Sequence, residues 1–252
     1  MTVDEADFYT GLVARLYSPL RSADPDPAPY AGFIAACGEP ALELGCGDGD
    51  PMLALRSRGL DVTGVDSSAD MLDRLRARAA ELGVDVVVHQ QRMQELSLGT
   101  TFRSIYLAGP TFNLLPDDSA AASTLAAIRD HLDPDGAALI PLFVPEPVSA
   151  SAFGRPSESV DPDGTVLRFT VLAEDRDERD RRSARSCRYE AVGPDGAAEV
   201  ADRTWVLHWY TQDGFRTLAE GAGLAVAAVL AADGRPAAPD ADVFVFWLTR
   251  PS

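Results

Sequence analysis

The chain contains no lysine; all 22 of its basic residues are arginine. That excludes a P-loop lysine and a lysine Schiff base. Histidine is scarce: His89, His131 and His208 stand far apart, so no HExxH zinc site can form and no metal is expected. The three cysteines, Cys37, Cys46 and Cys187, make no CxxC pair and read as reduced thiols of an intracellular chain. No apolar run reaches the roughly 18 residues of a membrane span, and MTVDEADFYT lacks the basic and apolar regions of a signal peptide. Positive charge is in deficit: 39 acids leave a net charge of −17. Such a field repels phosphate backbones and anionic membranes. The sequence therefore predicts a soluble, cytoplasmic protein with no nucleic-acid and no membrane partner.

What is present is ordinary for a globular chain. Its 252 residues are 46% hydrophobic, enough for one large domain or one domain with an insertion. Residues 4–20 carry Phe8, Leu12, Val13 and Leu16 at helical spacing. DPDPAP at 24–29 then breaks the chain. From Ala41 short apolar runs alternate with amphipathic stretches. Strands are predicted at 41–45, 61–65, 85–89, 102–108 and 136–144, with helices near 51–58, 69–82 and 117–132. That alternation implies βαβ units and a parallel sheet with right-handed crossovers. DPDG at 133–136 reads as a turn between helix and strand.

At Pro145 the rhythm stops. Residues 145–164 are rich in Pro, Ser and Gly and read as a mobile segment. Three β-type runs follow at 165–174, 184–193 and 198–210, the last two joined by a GPDG hairpin turn. They predict an antiparallel insertion over 145–210 within an α/β domain of residues 1–144 and 211–252. Thr211 is the expected N-cap of a further helix. LAVAAVLAA (224–232) and DVFVFWLTR (242–250) close the chain as an antiparallel pair.

The chemistry concentrates in Glu43-Leu44-Gly45-Cys46-Gly47-Asp48-Gly49, at the end of the first parallel strand and before a helix. Small residues there admit a ligand close to the backbone, and the helix N-terminus offers unpaired N–H groups. Glycines also mark ordinary tight turns. Asp66, 17 residues beyond Gly49, ends the second strand, where a carboxylate accepts from both hydroxyls of a ribose. Loop and acid together specify a nucleoside-containing ligand. The dinucleotide pattern GxGxxG needs glycine where Asp50 stands, and the acidic surround suits the positive sulfonium and ammonium of S-adenosylmethionine better than a pyrophosphate.

ALELGCGDG followed by VTGVDSSADML resembles motifs I and II of the class I S-adenosylmethionine-dependent methyltransferases. The likeness covers roughly 8–144 and 205–250 and points to the small-molecule branch with an antiparallel cap, as in glycine N-methyltransferase and the aminosugar N,N-dimethyltransferases. It implies a doubly wound, seven-stranded, Rossmann-like sheet ordered 3-2-1-4-5-7-6, an N-terminal helical lid and the cap. It implies S-adenosylmethionine as cofactor, S-adenosylhomocysteine as product and a small-molecule acceptor; a homodimer is compatible with that plan. Glu43, Gly45, Gly47 and Gly49 match the loop around the methionine part, and Asp66 matches the ribose acid. Met71 matches an apolar residue near the adenine, and Leu107 and Ala108 match the sulfonium lining. Where the family often has Gly-Asp-Met at the adenine edge, this chain has Gln91-Arg92-Met93. Arg92 has no acceptor for the adenine amine; a neighbouring glutamine supplies it or the contact is lost, while Met93 still offers its N–H.

Tyr17 in the lid and His208 near the cap's return are the candidate catalytic residues, each also readable as a packing residue. His131, at a helix C-terminus, suits the helix dipole. Phe112 and Asn113 follow the fourth strand, where substrates of such sheets bind. DRDERDRRSARSCR (175–188) carries six arginines among four acids and reads as a solvated, salt-bridged hairpin. The predicted activity is methyl transfer to a small-molecule amine, hydroxyl or carbon, in secondary metabolism. A repurposed S-adenosylmethionine-binding protein and an NAD(P)-dependent oxidoreductase are the alternatives.

Overall fold

A computed structural model describes residues 8–21 and 25–251. Contacts divide these into two units: residues 8–21 with Glu146–His208, and Pro25–Pro145 with Trp209 to residue 251.

The second unit is the doubly wound one. Its strands β1 (Ala41–Leu44), β2 (Val62–Asp66), β3 (Val87–Gln90), β4 (Phe102–Leu107) and β5 (Leu132–Phe143) run parallel. Near the chain end, β10 (Ala225–Leu230) and β11 (Val243–Thr249) join antiparallel. The sheet order is β10-β11-β5-β4-β1-β2-β3, which is the 3-2-1-4-5-7-6 order expected. The order reverses between β1 and β4, the switch point at whose carboxyl side ligands of such sheets bind.

Flanking helices are α2 (Ala28–Cys37), α3 (Met52–Ser57), α4 (Ala69–Leu82), α5 (Asp118–His131) and α6 (Gln212–Gly221). Two buried clusters hold the layers together, one around Ile105, Ile140, Phe215 and Phe246, the other around Ile34, Met52, Leu72 and Tyr106. Helix α4 spans the predicted 69–82. Met71, Leu72, Leu75 and Ala79 form its buried stripe, Ser68 caps Met71 N–H at 3.2 Å, and Gly83 ends it at φ 66°. Thr211 caps α6 as expected, accepting from Gly214 N–H.

Three features of this unit depart from the sequence expectation. Helix α2 falls in a stretch for which none was predicted; Pro29 sits in its first turn, where a missing N–H costs nothing, and Phe33 and Ile34 bury its face. DPDG does not separate α5 from β5: it is a bulge within β5, since Phe102 pairs Leu132 and Ser104 already pairs Ala137. A Cβ at Gly136 would lie 2.9 Å from the Arg103 carbonyl oxygen, so only glycine fits there. Phe112 and Asn113 are wholly buried: Phe112 packs on Tyr210 and Phe215, and the Asn113 amide brackets the Phe143 backbone.

The first unit is the four-stranded antiparallel sheet β6 (Pro156–Val160), β7 (Val166–Asp177), β8 (Arg182–Val192) and β9 (Ala198–His208). Strand β6 lies in the segment predicted to be mobile; it pairs with β7 from Pro156↔Thr170 to Val160↔Val166. The β7–β8 hairpin is salt-bridged as expected, through Arg176–Glu178 and Arg185–Glu174. Of the helix predicted over 4–20, residues 4–7 lie outside the described residues. What forms is α1 (Leu12–Leu16), preceded by Gly11 at φ 55°. Leu12 and Leu16 pack on Leu167, with Tyr189, Ala191 and Ala201 around them. Those contacts group residues 8–21 with the antiparallel sheet, whereas the sequence placed them with the α/β domain. Among the described residues, no helix is long and apolar enough to cross a membrane.

Candidate active site

The loop after β1 turns three times through conformations that suit glycine: Gly45, Gly47 and Gly49 have φ of 71°, 53° and 104°. Gly45 is needed for space as well, since a Cβ there would lie 2.5 Å from Thr111 Cγ2. The Gly45 and Cys46 N–H groups donate to the Val65 carbonyl, fastening the loop to β2. Asp66 fastens it again. Its Oδ2 accepts from Gly47 N–H and its Oδ1 from Ser68 N–H, both at 2.8 Å. Burial raises the Asp66 carboxyl above its ordinary value, against backbone N–H bonds from Ser68, Gly47 and Ser67 that pull it down.

Arg78, which the sequence did not single out, clamps the loop from α4. Its Nη1 donates to the Asp48 carbonyl at 2.9 Å, and its Nη2 reaches both Asp50 oxygens at 2.8 and 2.9 Å. Asp50 is therefore paired, and the loop is less negative than the bare sequence suggests. The nearest sequence signal is that α4 carries arginine on its polar face, but nothing local says which one reaches back some thirty positions.

Glu43 is fully buried at the carboxyl end of β1. Its register partner on β4 is Tyr106, whose hydroxyl donates to Oε2 at 2.7 Å. The other oxygen, Oε1, has no hydrogen-bond partner among the described residues. Burial pushes this carboxyl up to about 8; the Tyr106 bond opposes the rise, and Asp50 and Asp66 add to it. Tyr30 of α2 stacks on Tyr106, ring centres 5.1 Å apart, and accepts from Gly109 N–H at 3.0 Å. Burial likewise raises both phenols.

Met71, in the first turn of α4, is buried, with its Cε 3.3 Å from where a Gly47 Cβ would sit. Met93 opens a short 3₁₀ turn (Met93–Glu95) and is half-buried against the core. The Leu107 side chain is wholly inside the core, leaving only its backbone for a ligand, while Ala108 is half-buried and its carbonyl accepts from Thr111. Gln91 is engaged: its amide pairs with both backbone groups of Ser97, at 3.1 and 2.8 Å. That closes the 91–97 loop. Tyr17 and His208 belong to the antiparallel unit. Tyr17 follows α1, edge-on to Tyr9 and with the Arg21 guanidinium 5.1 Å from its ring centre. His208 ends β9, buried, opposite Arg182. Among the described residues no cluster of three or more His, Cys, Asp or Glu could hold a metal.

A loop built from three glycines, an acid that ends β2 and a buried acid at the switch point fit the nucleoside and the cationic amino-acid end of S-adenosylmethionine. The methyltransferase domain family matches residues 41–136. A cypemycin N-terminal methyltransferase from a Streptomyces species is 31% identical over 120 residues, 45% of this chain and 48% of that protein. The chain thus spans less than half the length of the curated relatives it matches. The CcbJ methyltransferase from Streptomyces caelestis superposes with TM-score 0.79 at 22% identity, over 99% of this chain and 100% of that one. CalS10, an amino pentose methyltransferase from Micromonospora echinaspora, gives 0.70 at 22%, over 97% and 99%. At such identities these structures establish the fold, that of the S-adenosylmethionine-dependent methyltransferases, and residues 41–136 match the methyltransferase domain family.

Proposed function

We propose that the protein transfers a methyl group from S-adenosylmethionine to a small-molecule nucleophile, and that this nucleophile is an amine. The observation that carries the first half is the cradle at the switch point, with Glu43 and Asp66 at the carboxyl ends of β1 and β2 and Gly45, Gly47 and Gly49 on the loop that follows β1. When bound, S-adenosylmethionine supplies a methyl on a positive sulfur, already reactive toward nucleophiles. Asp66 holds the ribose through its carboxylate, at the end of β2. The glycine loop lets backbone approach the amino-acid end, Met71 offers apolar surface to the base, and Met93 offers its N–H to the adenine edge. The protein's work is then alignment and exclusion of water.

The amine is favoured by the names of similar proteins. CalS10 is described as an amino pentose methyltransferase, KedS8 as a sugar N-methyltransferase and MtfA as a glycopeptide N-methyltransferase. An amine needs to shed one proton before or during transfer; Tyr17 and His208 are our candidates to accept it. Secondary metabolism is the setting these neighbours suggest, calicheamicin biosynthesis being that of CalS10.

The test is incubation with S-adenosylmethionine and a panel of amino sugars, peptides with free N-termini and matched hydroxy compounds, read by product mass. Added methyl groups on an amine and not on its hydroxy analogue support the reading. Methylation of hydroxy compounds alone would refute the amine. Cofactor binding with no methylated product would favour a repurposed binding protein.

A further inference from the structure

The segment between β3 and β4 is tied down at three points. Its first residue, Gln91, donates its N–H to the Asp66 carbonyl at 3.0 Å. The Gln91 amide pairs with Ser97. Leu98 N–H then donates to Nε2 of His131, the last residue of α5, at 3.1 Å. A backbone N–H can only give, so Nε2 takes and carries no proton. The one N–H of the ring is therefore on Nδ1, which lies 2.8 Å from the Ala127 carbonyl and donates to it. Both ring nitrogens are used, and only the neutral imidazole can use them so. A helix C-terminus invites a cation; here the histidine works as a hydrogen-bond acceptor. Between Gln91 and Leu98, Leu96 is buried in the cluster that holds Ile128 and Leu132, and Met93 and Leu98 pack against the same cluster.

We propose that His131 is a positioning residue for the adenine side of the cofactor site: as the neutral ring it holds Leu98 and so steadies the Met93 turn, and on taking up a proton it lets the segment go. The inference rests on the cofactor reading above, in which Met93 offers its N–H to the adenine edge. The step is a simple proton gain. A proton from solvent binds Nε2, the ring then carries two N–H groups and one positive charge, and Leu98 N–H faces a donor in place of its acceptor. The charged groups on the elements packed against α5 are Arg92 and Glu95 on the segment, Asp133 and Asp135 on β5, and Asp213, Arg216 and Glu220 on α6. In the last turn of α5 itself stand Arg129 and Asp130, paired at 2.7 Å. Arg129 also reaches the Ala222 carbonyl, and Arg250 the Leu132 carbonyl. The acids and the helix end accept a cation at His131, so protonation is open to it; what protonation costs is the Leu98 bond.

The experiment compares the full chain as wild type, His131→Gln and His131→Leu. Glutamine keeps an acceptor that does not titrate between about pH 5 and about pH 8; leucine has none. In amide NMR spectra of the ligand-free chain, the Leu98 signal should move with an imidazole titration in wild type and stay still in His131→Gln. Calorimetry with S-adenosylhomocysteine should show wild type losing about tenfold in affinity relative to His131→Gln as pH falls through that range. His131→Leu should bind throughout about as weakly as protonated wild type. The ligand's own groups and the other histidines titrate alike in all three proteins. A histidine that merely fills space would leave the wild-type and His131→Gln affinities parallel, and that result overturns the proposal alone. If neither variant folds, wild type decides: a Leu98 signal flat across the range, or a neutral His131 ring protonated on Nε2, overturns it. A wild type that binds no S-adenosylhomocysteine at any pH overturns the cofactor reading and this inference with it.

Discussion

Gly47 donates its N–H to Asp66 Oδ2 at 2.8 Å, so the acid at the end of β2 grips the loop at the end of β1. One carboxylate thereby sets the loop's shape and offers itself to the ribose. Asp66→Ala removes both functions. Losing charge-assisted bonds to two hydroxyls should weaken S-adenosylhomocysteine binding by about 2–4 kcal/mol. Calorimetry decides; a wild-type affinity would take Asp66 out of the site.

Gly45→Ala places a methyl 2.5 Å from Thr111 Cγ2 at a backbone φ of 71°. Strain and overpacking together should cost about 2–4 kcal/mol in urea unfolding. Adding Thr111→Ser removes the struck methyl and should restore part of that loss, leaving the backbone share. No difference between the single and double variants would mean that the contact does not set the cost.

Arg78→Met strips the guanidinium from Asp48, which is buried, and from Asp50. Stability should fall by about 1–3 kcal/mol, and cofactor affinity should fall with it as the loop loosens. Arg78→Lys should recover only part, because a single ammonium cannot span three acceptors as the planar fork does. Thermal unfolding and calorimetry on the same samples separate the two effects.

Glu43 also leaves a mark on folding. Its value in the fold, about 8, lies above the ordinary 4.5. The folded state therefore holds this proton more tightly than the unfolded chain. Its contribution is fully present below about pH 4.5 and is lost as pH rises through about 8. Unfolding free energies measured across that range should decline more steeply in wild type than in Glu43→Gln. Parallel curves would mean that the buried carboxyl titrates normally.

Tyr17 and His208 are testable through turnover. If either takes the acceptor's proton, Tyr17→Phe or His208→Gln should lower kcat by roughly 10²–10⁴-fold while leaving S-adenosylhomocysteine affinity near wild type. Wild-type turnover in both variants would mean that the amine arrives already neutral.

The parallel strands and their order were legible because β1, β2 and β4 are short apolar runs set off by turn residues, and because α4 carries a Ser cap, an apolar stripe and a terminal glycine. The glycine loop and Asp66 were legible for a similar reason: their chemistry is written within 24 positions. What escaped was long-range or misread locally. The Glu43–Tyr106 bond joins residues 63 positions apart, and Arg78 meets Asp50 across 28; no periodicity announces such pairs. Helix α2 was hidden by prolines that break a helix's middle but suit its first turn. DPDG has turn chemistry, yet the sheet takes it up as a bulge. β6 is polar and exposed because it lies at a sheet edge, so it lacks the apolar alternation that marks a strand.

Asn113 carries one further consequence. Strand β4 accompanies β5 only as far as the pair Tyr106↔Leu139, while β5 continues to Phe143. There the Asn113 amide gives to the Phe143 carbonyl at 3.0 Å and takes from its N–H at 3.2 Å. A single side chain imitates the peptide group of a missing neighbour and finishes the edge that β4 abandons. The turn between Ala108 and Asn113 is thereby freed from any duty to continue the ladder. It can change sequence to suit a ligand while the end of β5 stays zipped, and Asn113→Ala should register first as faster amide exchange at Phe143.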